Sequence, residues 1–142
     1  LYEAATRFEP GGLHVISPGD DLAIIAAGYM VHVAKQAVEL LAKQNIRAAL
    51  IDCYSFPVDE QRLIDTLERA GRRALAVEDN YGGGLGAAVA EIAARRASVR
   101  VETLCCQRIP KSTRTAEQTL EYCGIGAPQI ADHAKALLRR PA

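Results

Sequence analysis

The densest group of side chains able to do chemistry is Glu78-Asp79-Asn80-Tyr81, which stands directly before Gly82, Gly83, Gly84 and Gly86. Backbone N–H groups at a glycine-rich helix start can hold an anion. Gly82-x-Gly84-x-x-Ala87 also matches a loose dinucleotide fingerprint, and Glu102 follows about twenty residues on. That reading fails on position and charge. The fingerprint belongs on the first strand of its unit, and here it follows the fourth. Glu78 and Asp79 would repel a pyrophosphate. The segment is therefore expected to serve close packing or a subunit interface through Glu78, Asp79, Asn80, Tyr81, Gly83, Gly84 and Gly86, with direct anion contact as the alternative.

A second candidate is Lys111-Ser112-Thr113-Arg114, a small basic and hydroxyl-rich loop. Lys111, Ser112 and Arg114 are its weaker candidates for phosphate contact. Gly28-Tyr29-Met30 reads as a plain strand-to-helix turn. The histidines, His14, His32 and His133, lie far apart and outside any catalytic or metal motif. Cys53, Cys105, Cys106 and Cys123 form no C-x-x-C pair and are expected to be reduced, mostly buried thiols. No G-x-S-x-G, P-loop or H-E-x-x-H is present. No catalytic residue, cofactor-binding residue or metal ligand is therefore assigned within the chain.

Composition narrows the partners. Lys plus Arg number 17 and Asp plus Glu number 17, a balance that argues against nucleic acid. Leu22–Ala27 is far too short to span a bilayer, so no membrane partner is expected. The N-terminus lacks the pattern of a secretory signal, and the expected compartment is the cytoplasm.

The elements that must position these residues alternate between two periods. Leu13–Ile16, Leu22–Ala27, Ala48–Cys53, Ala74–Val77 and Val99–Leu104 read as strands, and Leu22–Ala27 is apolar on both faces, as in a covered parallel sheet. Helices are predicted from Met30 to Gln44, stopped by Asn45; from an Asp59 N-cap to Gly71; and over Leu85, Val89 and Ile92. Thr115-Ala-Glu-Gln118 has the form of a capping box, Gly124 ends its helix, and Pro128 opens a last one. The fold class is α/β: a single three-layer domain with a mostly parallel, about five-stranded sheet and helices on both faces. Residues 1–12 read as a lead-in from a preceding domain, and residues 13–142 as the domain itself.

The order of these segments resembles the C-terminal domain of transketolase. The likeness is carried by Asp21–Gly28, by Ile51-Asp52 before Phe56-Pro57-Val58-Asp59, and by Glu78-Asp79-Asn80-Tyr81 with Gly83-Gly84-Leu85-Gly86. It continues through Ile109-Pro110-Lys111-Ser112 and Leu120-Glu121-Tyr122-Cys123-Gly124-Ile125. Two positions depart from the family's usual pattern: Asn80 stands where His is common, and Lys111-Ser112-Thr113-Arg114 replaces Arg-Ser-Gly-Lys. Asn at position 80 also occurs in deoxyxylulose-phosphate synthases. The Ile-Pro-Lys-Ser loop and the Leu-Glu-Tyr-x-Gly-Ile helix favour transketolase over those synthases and over 2-oxoacid dehydrogenase β subunits.

The resemblance implies a part in a homodimeric transferase of the pentose phosphate pathway. That enzyme moves a two-carbon ketol unit from a ketose phosphate to an aldose phosphate, using thiamine diphosphate and magnesium. The family's diphosphate motif does not occur here. The resemblance therefore implies that this domain alone binds no cofactor and is inactive, and that its partners are the pyrimidine- and diphosphate-binding domains. A free-standing anion- or nucleotide-binding regulatory module is the alternative from a different class.

Overall fold

In the computed structural model, which describes residues 1–96 and 99–140, five strands form one sheet: β1 (His14–Ser17), β2 (Leu22–Ala26), β3 (Ala48–Asp52), β4 (Arg73–Val77) and β5 (Arg100–Leu104). Their order is β1-β3-β2-β4-β5. β2, β3, β4 and β5 run parallel, and β1 runs antiparallel to β3 at one edge. The α/β fold with a mostly parallel five-stranded sheet is thus as expected. The parallel strands are joined by crossover helices α1 (Met30–Ala42), α2 (Glu60–Arg69) and α3 (Leu85–Arg96), and α4 (Ala116–Cys123) and α5 (Ala127–Arg139) follow β5.

Alternation along the inner strands divides the core into two layers. Leu22, Ile24 and Ala26 of β2, Leu50 of β3 and Leu75 and Val77 of β4 face α1 and α5, meeting Ala34, Leu41, Ile130 and Leu137. Ala23 and Ile25 of β2, Ile51 of β3 and Ala74 of β4 face α2 and α3, meeting Leu63, Leu67, Val89 and Ile92. Every residue of β2 is buried. A slip of one residue would send each side chain to the other layer, so the register is fixed by what both layers must hold. Each buried Leu or Ile contributes about 1.5–3 kcal/mol relative to exposure.

Local chemistry sets the ends of the helices. Asp59 caps α2 by accepting a hydrogen bond from Arg62 N at 2.9 Å. Thr115 Oγ1 caps α4 by accepting from Gln118 N at 3.2 Å, while the Gln118 side chain reaches back to Arg114 N at 3.2 Å. The return arm of the capping box therefore lands one residue earlier than the motif predicts. α1 ends at Ala42 rather than Gln44 because the reversal begins earlier. Asn45 adopts φ 60°, its N–H donates to Ala42 O, and Ile46 N donates to Leu41 O, the paired bonds of a left-handed helix stop. Gly124, at φ 80°, ends α4 in the same way, with Ile125 N donating to Leu120 O.

Residues 1–12 pack against the β1 side. Tyr2, Phe8, His14 and Tyr54 form a ring cluster with centroid separations of 4.8–5.3 Å. Gly11 N donates to Ser55 Oγ at 2.8 Å. The Tyr2 hydroxyl donates to Asp52 Oδ2, and burial, then this bond, raises the Tyr2 phenol well above its usual range.

Candidate functional site

Because β2, β3, β4 and β5 are parallel, the loops that follow them all emerge at one edge, where open α/β sheets present their functional groups. The glycine turn after β4 lies there. β4 ends at Val77, and Glu78 N still donates to Leu104 O at 3.1 Å, so the sheet carries Glu78 to the turn. The Glu78 carboxylate then folds under the start of α3. Oε2 accepts from Leu85 N at 3.1 Å and Oε1 from Gly86 N at 3.2 Å. Glu78 is buried, one of two buried charged residues, with Asp52, among the described residues. The anion held by these glycine-turn amides is thus the chain's own carboxylate, which meets both the unpaired N–H groups and the positive end of the helix dipole.

Two glycines make this arrangement possible. A Cβ on Gly84 would lie 2.2 Å from Glu78 Oε2. A Cβ on Gly86 would lie 2.3 Å from Thr103 Cγ2, so Gly86 sets how closely α3 approaches β5. Gly83, with φ 109°, sits at the crest of the turn, where no heavy atom would meet an added Cβ within 4 Å. Asp79 is exposed beside them. The Asn80 carbonyl accepts from Cys106 N at 2.8 Å, and its side chain accepts from Tyr81 N at 2.8 Å. Tyr81 is 52% exposed.

The basic loop after β5 is folded onto α4. Lys111 Nζ stands 4.2 Å from the Tyr122 ring centroid and the Arg108 guanidinium 5.5 Å from it. The Lys111 charge is therefore placed over an aromatic face rather than gathered with Ser112 and Arg114, which are both exposed. Tyr122 carries no signal of this role in the sequence.

The carboxyl edge has a feature that spacing did not show. Each of its loops presents an exposed large apolar residue: Tyr29 after β2 (51%), Phe56 after β3 (49%), Tyr81 after β4 (52%) and Ile109 after β5 (81%). Tyr29 also borders a groove of about 100 Å³ between α1, α4 and the start of α5, with His32, Gln36, Glu117 and Glu121 on its walls. Hydrogen bonds from its own backbone N–H and from Thr115 hold the Glu117 carboxyl below its ordinary range.

His14 lies in the aromatic cluster, His32 on the groove and His133 on an exposed part of α5, so the three histidines are not brought to one site. Among the described residues, no three His, Cys, Asp or Glu side chains are gathered to hold a metal ion, and no helix is long and apolar enough to cross a membrane. The glycine turn does not fit a diphosphate. Its helix-start amides already bond Glu78, and a second anion would meet two carboxylates, Glu78 and Asp79.

The family profile described as the transketolase C-terminal domain matches residues 11–130. The chain belongs to that family. Human transketolase is 31% identical over 144 residues, covering 99% of this chain and 23% of the human protein. Human transketolase-like protein 2 is 31% identical over 134 residues, covering 92% of this chain and 21% of that protein. This transketolase C-terminal domain thus spans about a quarter of the curated relatives it matches. Among solved structures, a split-gene transketolase described as an inactive β4 tetramer superposes with a TM-score of 0.86 at 27% identity, over 96% of this chain and 45% of that one. A transketolase from Pichia stipitis complexed with sedoheptulose 7-phosphate has a TM-score of 0.69 at 16% identity over 90% of this chain and 18% of its own, a likeness of fold. In the transketolase C-terminal domain described here, Glu78 caps the start of α3 at the end of the glycine series, through Leu85 N and Gly86 N.

Proposed function

We propose that this chain is the non-catalytic C-terminal part of a cytoplasmic transketolase. The complete enzyme transfers a two-carbon ketol unit from a ketose phosphate to an aldose phosphate, with thiamine diphosphate and magnesium held by its other domains. The domain itself packs against the pyrimidine- and diphosphate-binding domains and contributes to assembly of a homodimer. Residues 1–12 lead in from the preceding domain.

The row of Tyr29, Phe56, Tyr81 and Ile109 along the carboxyl edge carries this reading. Exposed aromatic and aliphatic groups on four successive loops suit burial against another protein surface. The Glu78 cap supports the same reading, because it engages the Leu85 and Gly86 amides from within the fold. The turn's Asp79, Asn80 and Tyr81 are then free to serve as contact residues. The split-gene relative described as an inactive tetramer also supports it, since chains carrying this fold there associate without activity.

Calorimetric titration of the chain with thiamine diphosphate and magnesium tests the claim. No binding is expected. Micromolar affinity would overturn the assignment of the cofactor to other domains. Ketol transfer is expected only after the chain is combined with the pyrimidine- and diphosphate-binding domains, and turnover by the chain alone would equally sink the reading.

A further inference from the structure

We infer that Cys106 and Cys123 are an oxidisable pair that closes into an intrachain disulfide, a modification site joining the end of β5 to the end of α4. Two backbone hydrogen bonds fix the geometry. Cys106 N donates to Asn80 O at 2.8 Å, and Gln107 N donates to Cys123 O at 2.9 Å. Gln107, the residue after Cys106, is thereby paired with Cys123 across a single backbone hydrogen bond, which brings the segment after β5 beside the end of α4. Cys123 is among the groups close enough to raise the Cys106 thiol, and Cys106 packs against the core cluster that contains Cys123. Cys123 is the last residue of α4, held in place by the left-handed Gly124 that follows it.

The other cysteines are placed elsewhere. Cys105 Sγ lies 3.9 Å from the position of a Cβ on Gly82, on the glycine-turn side. Cys53 belongs to the opposite core layer. Cys106 is partly accessible and Cys123 buried, which orders the steps. The oxidant is a hydroperoxide. The Cys106 thiol gives its proton to solvent, and its thiolate attacks the peroxide. An S–O bond forms, the O–O bond breaks, and the departing oxygen takes up a proton as water or alcohol. The Cys123 sulfur then attacks Cys106 Sγ. The S–S bond forms, the S–O bond breaks, and hydroxide leaves with the Cys123 proton as water. The two thiols lose two electrons and the peroxide gains them. Burial, then Cys123, Asp79 and Cys105, raises the Cys106 thiol above its ordinary range, so the first step quickens as pH rises. The bridge closes a loop that contains Ile109, Lys111, Arg114 and α4, and so restrains part of the carboxyl edge.

The test is oxidation of the full protein with hydrogen peroxide at about pH 8.5, near the ordinary thiol pKa, followed by alkylation under denaturing conditions and tryptic mapping. The expected product links the peptide Val101–Arg108 to Thr115–Lys135, with loss of two hydrogens, and separates on reduction. Fragment ions of the wild-type product place the bond on Cys106. Cys105→Ser retains the link, and Cys106→Ser loses it. A link through Cys105, a link surviving in Cys106→Ser, sulfinic acid on Cys106 without a link, or full alkylation of both thiols would each overturn the assignment. Because the decisive mapping is done on the wild type, a variant that fails to fold does not remove the test.

Discussion

The carboxylate of Glu78 receives the backbone N–H of Gly86 at 3.2 Å, across a turn of eight residues in sequence. That bond helps tie the residue after β4 to the start of α3. With Leu85 N on the other oxygen, Glu78 supplies a buried, charge-assisted cap.

Glu78→Gln is expected to lower stability by about 1–3 kcal/mol, because the amide keeps one acceptor, loses the charge and turns an N–H₂ group toward a backbone donor. Glu78→Ala should cost at least as much. Urea unfolding measures both. An unchanged midpoint would show that the buried carboxylate does not hold the turn.

Gly86→Ala places a methyl 2.3 Å from Thr103 Cγ2 and is expected to cost about 1–3 kcal/mol by overpacking. Thr103→Ala should recover part of that loss in the double variant, since the two sites are in contact and their effects do not add. Strict additivity in a thermal or urea cycle would place the clash elsewhere.

Cys53 titrates against the fold at high pH. Burial, then the neighbouring Asp52 charge, pushes its thiol up to about 11 from 9.0. The raised group keeps its proton in the folded state while the unfolded thiol ionises. Its stabilisation is therefore complete below about pH 9 and is lost as pH rises to about 11. That loss should be of order 2 kcal/mol. Cys53→Ala is predicted to flatten this part of the stability profile, and an identical slope in wild type and variant would contradict it.

The carboxyl edge should be separable from stability. Ile109→Ser, at a residue 81% exposed, should change unfolding free energy by less than about 0.5 kcal/mol. Combined with Tyr29→Ser and Tyr81→Ser, it should weaken association with the remaining transketolase domains by tenfold or more, as expected when aromatic anchors are lost. Sedimentation or light scattering reads the association, and wild-type assembly by the triple variant would rule this edge out as the docking surface.

Tyr122→Leu removes the ring under Lys111 and Arg108 while keeping an apolar side chain on α4. The expected cost is about 0.5–1 kcal/mol for each cation–π contact at these exposed positions. Hydrogen exchange in residues 107–115 should quicken, and unchanged exchange would show that the loop is held by its other contacts.

Much of this protein was legible in its residues because the signals are local. The unbroken apolar run of Leu22–Ala26 follows from two-sided burial, and the Asp59 and Thr115 caps follow from short side chains next to unpaired amides. Asn45 and Gly124 stop their helices through backbone conformations their residue types allow. The ordered motifs likewise carried the family resemblance. Tertiary structure decided which residues meet. Nothing near Glu78 in sequence fixes whether its carboxylate faces solvent or the amides seven and eight residues on; the approach of α3 to β5 does. No spacing rule brings Lys111 over Tyr122, Cys106 beside Cys123, or Tyr29, Phe56, Tyr81 and Ile109 to one edge. Those relationships exist because parallel strands deliver separate loops to the same side of a sheet. The sequence thus determined the elements and their ends through local chemistry, and only the packed sheet decided that its conspicuous glycine turn would bind the chain's own carboxylate.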